Sequence, residues 1–159
     1  QLNALPMAET ELRMEVLRQL LGKVGKNCAI NPQFRCDYGS YIQVGENFFA
    51  NYNCVILDCA PVTFGDNVFI APNCGFYTAG HPLDYPTRNA MLEFAKPITV
   101  GDNVWIGGNV VVLPGVTIGS GSVIGAGSVV SRDIPENVLA VGNPCRPIRS
   151  INPEDRRML

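Results

Sequence analysis

A six-residue step runs through this chain and limits what it can fold into. Val100, Ile106, Val112, Ile118, Ile124 and Val130 are all apolar and β-branched, each six positions from the last. Two residues before each stand Ile98, Val104, Val110, Val116, Ser122 and Ser128, which are small or β-branched. One residue after come Gly101, Gly107, Leu113, Gly119, Gly125 and Ser131. An earlier block repeats the step with Val44, Ala50 and Ile56, then, after a slip of two residues, with Phe64, Ile70 and Phe76.

Six is a multiple of two, so successive aliphatics fall on one face of extended segments. It is not a helical period, and the recurrent Gly and Asn disfavour long helices. Each unit reads as a short strand plus a turn, with Gly supplying positive φ. Strands this short cannot bury an apolar face alone; stacked as coils they share one core. Three hexads per coil give a triangular parallel β-helix with about 18 residues per coil. Four coils are expected from Val44 to Val130, preceded by an irregular one over Val24 to Tyr41. A β-sandwich, with turns every 8–12 residues, does not account for the phasing.

Two segments break the ladder. Over residues 7–21, Leu12, Val16, Leu17, Leu20 and Leu21 stand at helical spacing before Gly22, so a helix is expected to cap the open end of the stack. Residues 77–97 (YTAGHPLDYPTRNAMLEFAKP) hold three prolines and the only histidine. They read as a loop extruded at a corner, and a loop this long in a compact repeat is usually functional. After Val130 the repeat is expected to dissolve, with Pro135, Pro144 and Pro147 stopping regular coils and a short exposed helix near Pro153. The resulting division is a helical cap over 1–23, a β-helix domain over 24–150 with loop 77–97, and a tail over 151–159.

Composition narrows the partners. A net charge of −2 carries no basic excess for nucleic acid or an anionic membrane surface. No apolar run approaches the roughly 20 residues of a membrane span, and no signal-peptide pattern is present. Six scattered cysteines without a C-x-x-C pair read as reduced thiols, which points to the cytoplasm. The chain opens on Gln1, so residues are expected to be missing upstream.

The strings CDYGSYIQVGENFFANYN, IAPNCGFYTAGHPLD and KPITVGDNVWIGGNVVVLPGVTIGSGSVIGAGSVVSRDIPENVLAVGNPCRPIR resemble the hexapeptide-repeat acyltransferases, most nearly the maltose and galactoside O-acetyltransferases. The resemblance covers about residues 7–152, and the strings N-x-N, T-A-G-H-P and G-N-P-C-R-x-I-R are its most specific parts. It implies an all-β fold, a left-handed parallel β-helix, whereas crossover rules alone would favour the right hand. It also implies a homotrimer with active sites between subunits, acetyl-CoA as co-substrate, no metal, and transfer of acetyl to a sugar hydroxyl. Relatives carry a further N-terminal helical segment that closes over the acceptor pocket.

An alcohol attacks a thioester poorly unless a base takes its proton, and histidine is suited to that task near neutral pH. His81 lies in the extruded loop within T-A-G-H-P, where the resemblance implies the catalytic base; a lone loop histidine can also be an ordinary surface residue. Asn51 matches the family's donor to the developing oxyanion, and an Asn there could instead hold a coil corner in the left-handed conformation. Asn53 is the more structural member of the pair. The resemblance implies an acceptor contact at Asp37 and a second close to Asp58; the residue matching the second is Cys59, with Asp58 just before it, so both are acceptor-contact candidates. Glu93 could contact the acceptor or orient His81, and each of these carboxylates could equally be solvated or cap a corner. The donor contacts fall on Gly108, Ala126, Ser131, Arg132, Arg146 and Arg149. Small residues admit the pantetheine arm, and arginines can bind phosphates. Trp105 could line the site or pack at a subunit seam.

Other activities remain on the same scaffold. An antibiotic-modifying or serine O-acetyltransferase would use the same base. A γ-type carbonic anhydrase would need three histidine ligands, and this chain has one histidine. A non-catalytic β-helix would not need the lone histidine in its extruded loop.

Overall fold

In-register stacking of the six-step aliphatics builds the molecule, as a computed structural model describing residues 1–158 shows. Val44, Phe64, Val100 and Ile118 stack in one column; Ile30, Ala50, Ile70, Ile106, Ile124 and Ala140 form a second; Cys36, Ile56, Phe76, Val112 and Val130 a third. All but Cys36 are buried, and together they form one continuous core. The columns belong to three parallel sheets wound as a left-handed β-helix. The first sheet holds Lys23–Val24, Ile42–Val44, Val62–Phe64, Ile98–Val100 and Thr117–Ile118. The second holds Ala29–Ile30, Phe49–Ala50, Phe69–Ile70, Trp105–Ile106, Val123–Ile124 and Val138–Val141. The third holds Arg35–Cys36, Val55–Leu57, Gly75–Tyr77, Val111–Val112 and Val129–Val130.

The corners have their own ladder. Asn27, Asn47, Asn67 and Asn103 all adopt φ between 54° and 57°, and the amides of Asn27, Asn47 and Asn67 each donate to the next Asn along the first/second edge, at 2.9–3.2 Å. Asn tolerates this left-handed conformation better than other L-residues with a side chain, and stacking gives each donating amide a partner. On the second/third edge, Asn53 and Asn73 do the same, at 2.9 Å.

The repeat does not dissolve after Val130. Ile134 bridges to Ile118, and Val138–Val141 extends the second sheet, giving five coils and a partial sixth. Buried Ser122 donates to Pro135 O and accepts from Val138 N, so a serine in the hexad ladder binds this last coil. Arg146–Ser150 then folds back antiparallel on Val138–Val141 and covers the sheet edge. Pro147 is tolerated there because an edge strand has an outward side that needs no N–H. The C-terminal turn, Pro153–Met158, is a 3-10 helix.

At the other end the helix Thr10–Leu20 packs on the first strands of the first and second sheets. Leu17 is its buried apolar residue, while Leu12 is exposed, contrary to the expected apolar face. Arg13 is buried instead: its guanidinium donates to the carbonyls of Leu2, Leu5 and Ile30, at 2.6–3.0 Å, and ties the N-terminal turn to the first coil. Among the described residues no helix is long and apolar enough to cross a membrane.

Candidate active site

Coil length varies mainly at one edge. From Cys36 to Val44 and from Ile56 to Phe64 the step is eight residues instead of six, and from Phe76 to Val100 the long loop intervenes. All three deviations fall where the chain passes from the third sheet to the first. Asp58 accounts for part of the extra length. It is fully buried, and its two oxygens accept from the backbone N–H groups of Asp37, Tyr38 and Tyr41, at 2.9–3.3 Å. The expected acceptor contact at Asp58 therefore needs correction: its carboxylate faces inward and holds the preceding turn. Replacing it with alanine would strand up to three backbone donors, each at about 1–3 kcal/mol. Asp58→Ala is accordingly expected to lower the thermal midpoint by many degrees, read by circular dichroism.

The extruded loop is a built structure. Ala79–Gly80 pairs antiparallel with Phe94–Ala95, and a side chain at Gly80 would meet the Phe94 ring. At the base, buried Thr78 donates to Leu57 O and accepts from Ala60 N, while Lys96 N returns to Thr78 O. Further out, Asp84 caps the short helix Tyr85–Asn89 by accepting from Thr87 N. That hydrogen bonding to Thr87 lowers its carboxyl below the usual range. Arg88 donates to the carbonyls of Pro82 and Leu83 and folds the loop back beside His81.

This scaffold fixes the imidazole. His81 Nδ1 lies 3.2 Å from Leu92 O, and a carbonyl can only accept, so the ring proton sits on Nδ1. In that tautomer Nε2 carries the lone pair; it lies 3.5 Å from Glu93 Oε1. The ring is half-exposed. Leu92 was not legible as a site residue, because its contribution is a backbone carbonyl.

The acceptor candidates other than Asp58 gather on this edge. Cys59 Sγ donates to Asp37 Oδ2, at 3.4 Å. Its thiol is pushed up by burial first, then by the hydrogen bond to Asp37 and the negative fields of Asp37, Glu93 and Asp58. Ser131 and Arg132 sit three coils beyond Cys59 on the same edge.

The other candidates lie elsewhere. Asn51, Gly108 and Ala126 lie along the second/third edge, just past the strands Phe49–Ala50, Trp105–Ile106 and Val123–Ile124, with Phe69–Ile70 between the first two. Gly127 N donates to Gly108 O there, at 2.8 Å. The two asparagines separate cleanly. Asn53 has φ 61° and carries the corner ladder, whereas Asn51 has no left-handed backbone. Asn51 Oδ1 accepts from Tyr52 N and from Asn31 Nδ2, while Nδ2 has no acceptor among the described residues. Arg146 begins the returning strand near this edge, and Trp105 stands half-exposed on the outer face of the second sheet. Arg149 is engaged by Asp155 in a two-point contact at 2.6 and 2.8 Å. The side-chain hydrogen bond from Arg149 holds the Asp155 carboxyl down at about 2. Among the described residues no group of three or more His, Cys, Asp or Glu could hold a metal ion.

Residues 97–132 match the family described as bacterial transferase hexapeptide (six repeats). The chain is 49% identical over 149 residues to galactoside O-acetyltransferase of Escherichia coli, covering 94% of this chain and 73% of that protein. A maltose O-acetyltransferase from Clostridium difficile superposes with a TM-score of 0.93 at 54% identity, over 95% of this chain and 81% of the other. A hexapeptide-repeat acetyltransferase from Vibrio cholerae, solved with acetyl-CoA, superposes with a TM-score of 0.90 at 46% identity, over 95% of this chain and 81% of the other.

Proposed function

This chain belongs to the hexapeptide-repeat acetyltransferases and uses acetyl-CoA, and from that premise we propose that it acetylates a sugar hydroxyl by direct, base-assisted attack. The observation that carries the mechanism is the Nδ1 contact with Leu92 O, which leaves Nε2 of His81 free to take a proton. The acceptor oxygen attacks the thioester carbonyl carbon while its proton passes to Nε2. Glu93, 3.5 Å from Nε2, shares the positive charge that arrives with that proton. Asn51 Nδ2 donates to the oxyanion of the tetrahedral intermediate. Collapse breaks the carbon–sulfur bond, and the imidazolium returns its proton to the departing thiolate, giving acetyl ester and CoA.

The donor side is supported by residues beyond the loop. Gly108 and Ala126 leave room for the pantetheine arm, and Arg132, Arg146 and Arg149 offer charge-assisted bonds to its phosphates. Arg149 retains Nε–H and one Nη2–H for this, since its other three donors are used by Ser150 O and Asp155.

Two features support an assembly with sites shared between copies. First, His81 and Asn51 project from different edges of the same prism, separated by a sheet about five residues wide, or roughly 16 Å of extended chain. Second, the prism faces differ. The first sheet turns Lys23, Gln43, Thr63, Thr99 and Thr117 outward. The second turns out Ala29, Phe49, Phe69, Trp105, Val123 and Leu139, with Phe69 and Trp105 about half-exposed in the single chain. The third adds Val55, Val111 and Val129. Head-to-tail contacts between unlike faces close as a ring, and three prisms complete a threefold. In such a trimer the His81 edge of one copy meets the Asn51 edge of the next. The free thiols of all six cysteines support a reducing, cytoplasmic setting.

The test is CoA release against a panel of sugars, serine and hydroxylated antibiotics, with His81→Ala as control. Release with sugars that depends on His81 is expected. Release only with serine or an antibiotic would replace the acceptor class, and release that is indifferent to His81 would end the proposed mechanism.

A further inference from the structure

We infer that the acceptor is a hydroxyl compound carrying a protonated amino group, and that Asp37 is the carboxylate that selects it. The location of the site rests on the reading above; the charges on this edge decide only which acceptor it takes.

The edge is electrically polarised along the helix axis. Asp37 and Glu93 are exposed on the acceptor side, and the buried Asp58 carboxylate lies directly behind Asp37, accepting from its backbone N–H at 3.0 Å. Asp37 makes no ion pair among the described residues; its carboxylate accepts only a thiol, a weak donor. Glu93 has only the imidazole, which is neutral in the state that acts as base. The neighbouring cations are turned elsewhere. Arg88 is held on the Pro82 and Leu83 carbonyls, Lys96 lies over the Phe94 ring, and Arg35 makes no ion pair with Asp37. The upward push on the Cys59 thiol reports the same field: after burial, its causes are three carboxylates and no cation.

The donor side has the opposite sign. Arg132 stands on the same edge four coils from Asp37, or about 19 Å at the usual strand spacing. Arg146 and Arg149 lie at the same end of the prism. Three CoA phosphates would be matched at that end, and His81 lies between the two fields. An acceptor reaching His81 therefore sits against uncompensated negative charge. A neutral sugar leaves that charge unpaired, a phosphorylated or carboxylated sugar is repelled, and an ammonium group near the reacting hydroxyl is attracted. The thiol of Cys59, donating to Asp37 Oδ2, leaves Oδ1 for the ligand.

The experiment compares glucosamine, glucose and glucose 6-phosphate as acceptors of the intact protein at mildly acidic pH and low ionic strength. The O-acetyl product is identified by its lability in mild alkali. The expected kcat/KM for glucosamine is about tenfold above glucose, with glucose 6-phosphate about tenfold below. Asp37→Asn is expected to cut the glucosamine-to-glucose ratio by roughly fivefold, and added salt should shrink it in the unmodified protein as well. A ratio of one or less in the unmodified protein, or a ratio that neither Asp37→Asn nor salt alters, overturns the inference. If glucose is acetylated without any charge preference, the inference fails and the transferase reading stands; if no sugar supports CoA release, the reading itself fails.

Discussion

The His81→Ala protein is expected to lose about 10²–10⁴ in kcat while melting at nearly the same temperature as the unmodified chain. The rate effect follows from the lone pair at Nε2, which no other side chain on this edge can replace. Asp37 accepts from the Cys59 thiol, Glu93 faces the imidazole itself, and the Cys59 thiol is pushed up and bound to Asp37. The intact fold follows from how the ring is held. Its one hydrogen bond is to Leu92 O, at a half-exposed position, while the loop is closed by Gly80–Phe94 pairing, Thr78 and Arg88. Removing the imidazole opens no core cavity. Acetyl-CoA affinity should be unchanged, because Arg132, Arg146 and Arg149 lie coils away. A mutant retaining its full turnover with a sugar acceptor would show that another group takes the proton.

The regular part of this molecule was legible because a β-helix repeats its burial in sequence. Every aliphatic picked out by the six-residue step is buried, and the two-residue slip after Ile56 marks the edge where Asp58, Cys59 and the loop base meet. What escaped the reading is what leaves the period. Ile134, Val138 and Ala140 complete a partial coil, but Ile134 follows Val130 by four residues instead of six, so the ladder resumes out of phase. Hydropathy put Leu12 on the packed face of the N-terminal helix, yet three nearby carbonyls made Arg13 the buried residue. At the site, adjacent Asp58 and Cys59 carry no sequence mark of which one points inward. The burial of Asp58 is decided by three N–H groups some 20 residues upstream. Asn51 and Asn53 look alike as letters and differ in backbone conformation, which separated the corner residue from the one with a free amide.

A mixture of two inactive proteins should recover activity. His81→Ala lacks the base on the third/first edge, and Asn51→Ala lacks the amide on the second/third edge, a loss of about 10²–10³ in kcat. If each site joins the His81 edge of one copy to the Asn51 edge of its neighbour, co-expressed subunits assort at random around the ring. A site is then intact when an Asn51→Ala copy supplies His81 to a His81→Ala copy that supplies Asn51. For an equal mixture this holds at about one site in four, so the purified mixture should show about a quarter of the unmodified activity per site. Either variant alone should stay at or below about 1%. The recovery is large against that background and needs no structure of the complex to be read. It also separates the models sharply: were both residues to serve one active site within a single chain, every chain would carry a defect and mixing would restore nothing. A further arm uses the apolar second sheet. Phe69→Arg, placed on its half-exposed outer column, should shift the mass in analytical ultracentrifugation toward the monomer. That monomer should be inactive with His81 and Asn51 both present, and a fully active one would mean that a single prism suffices.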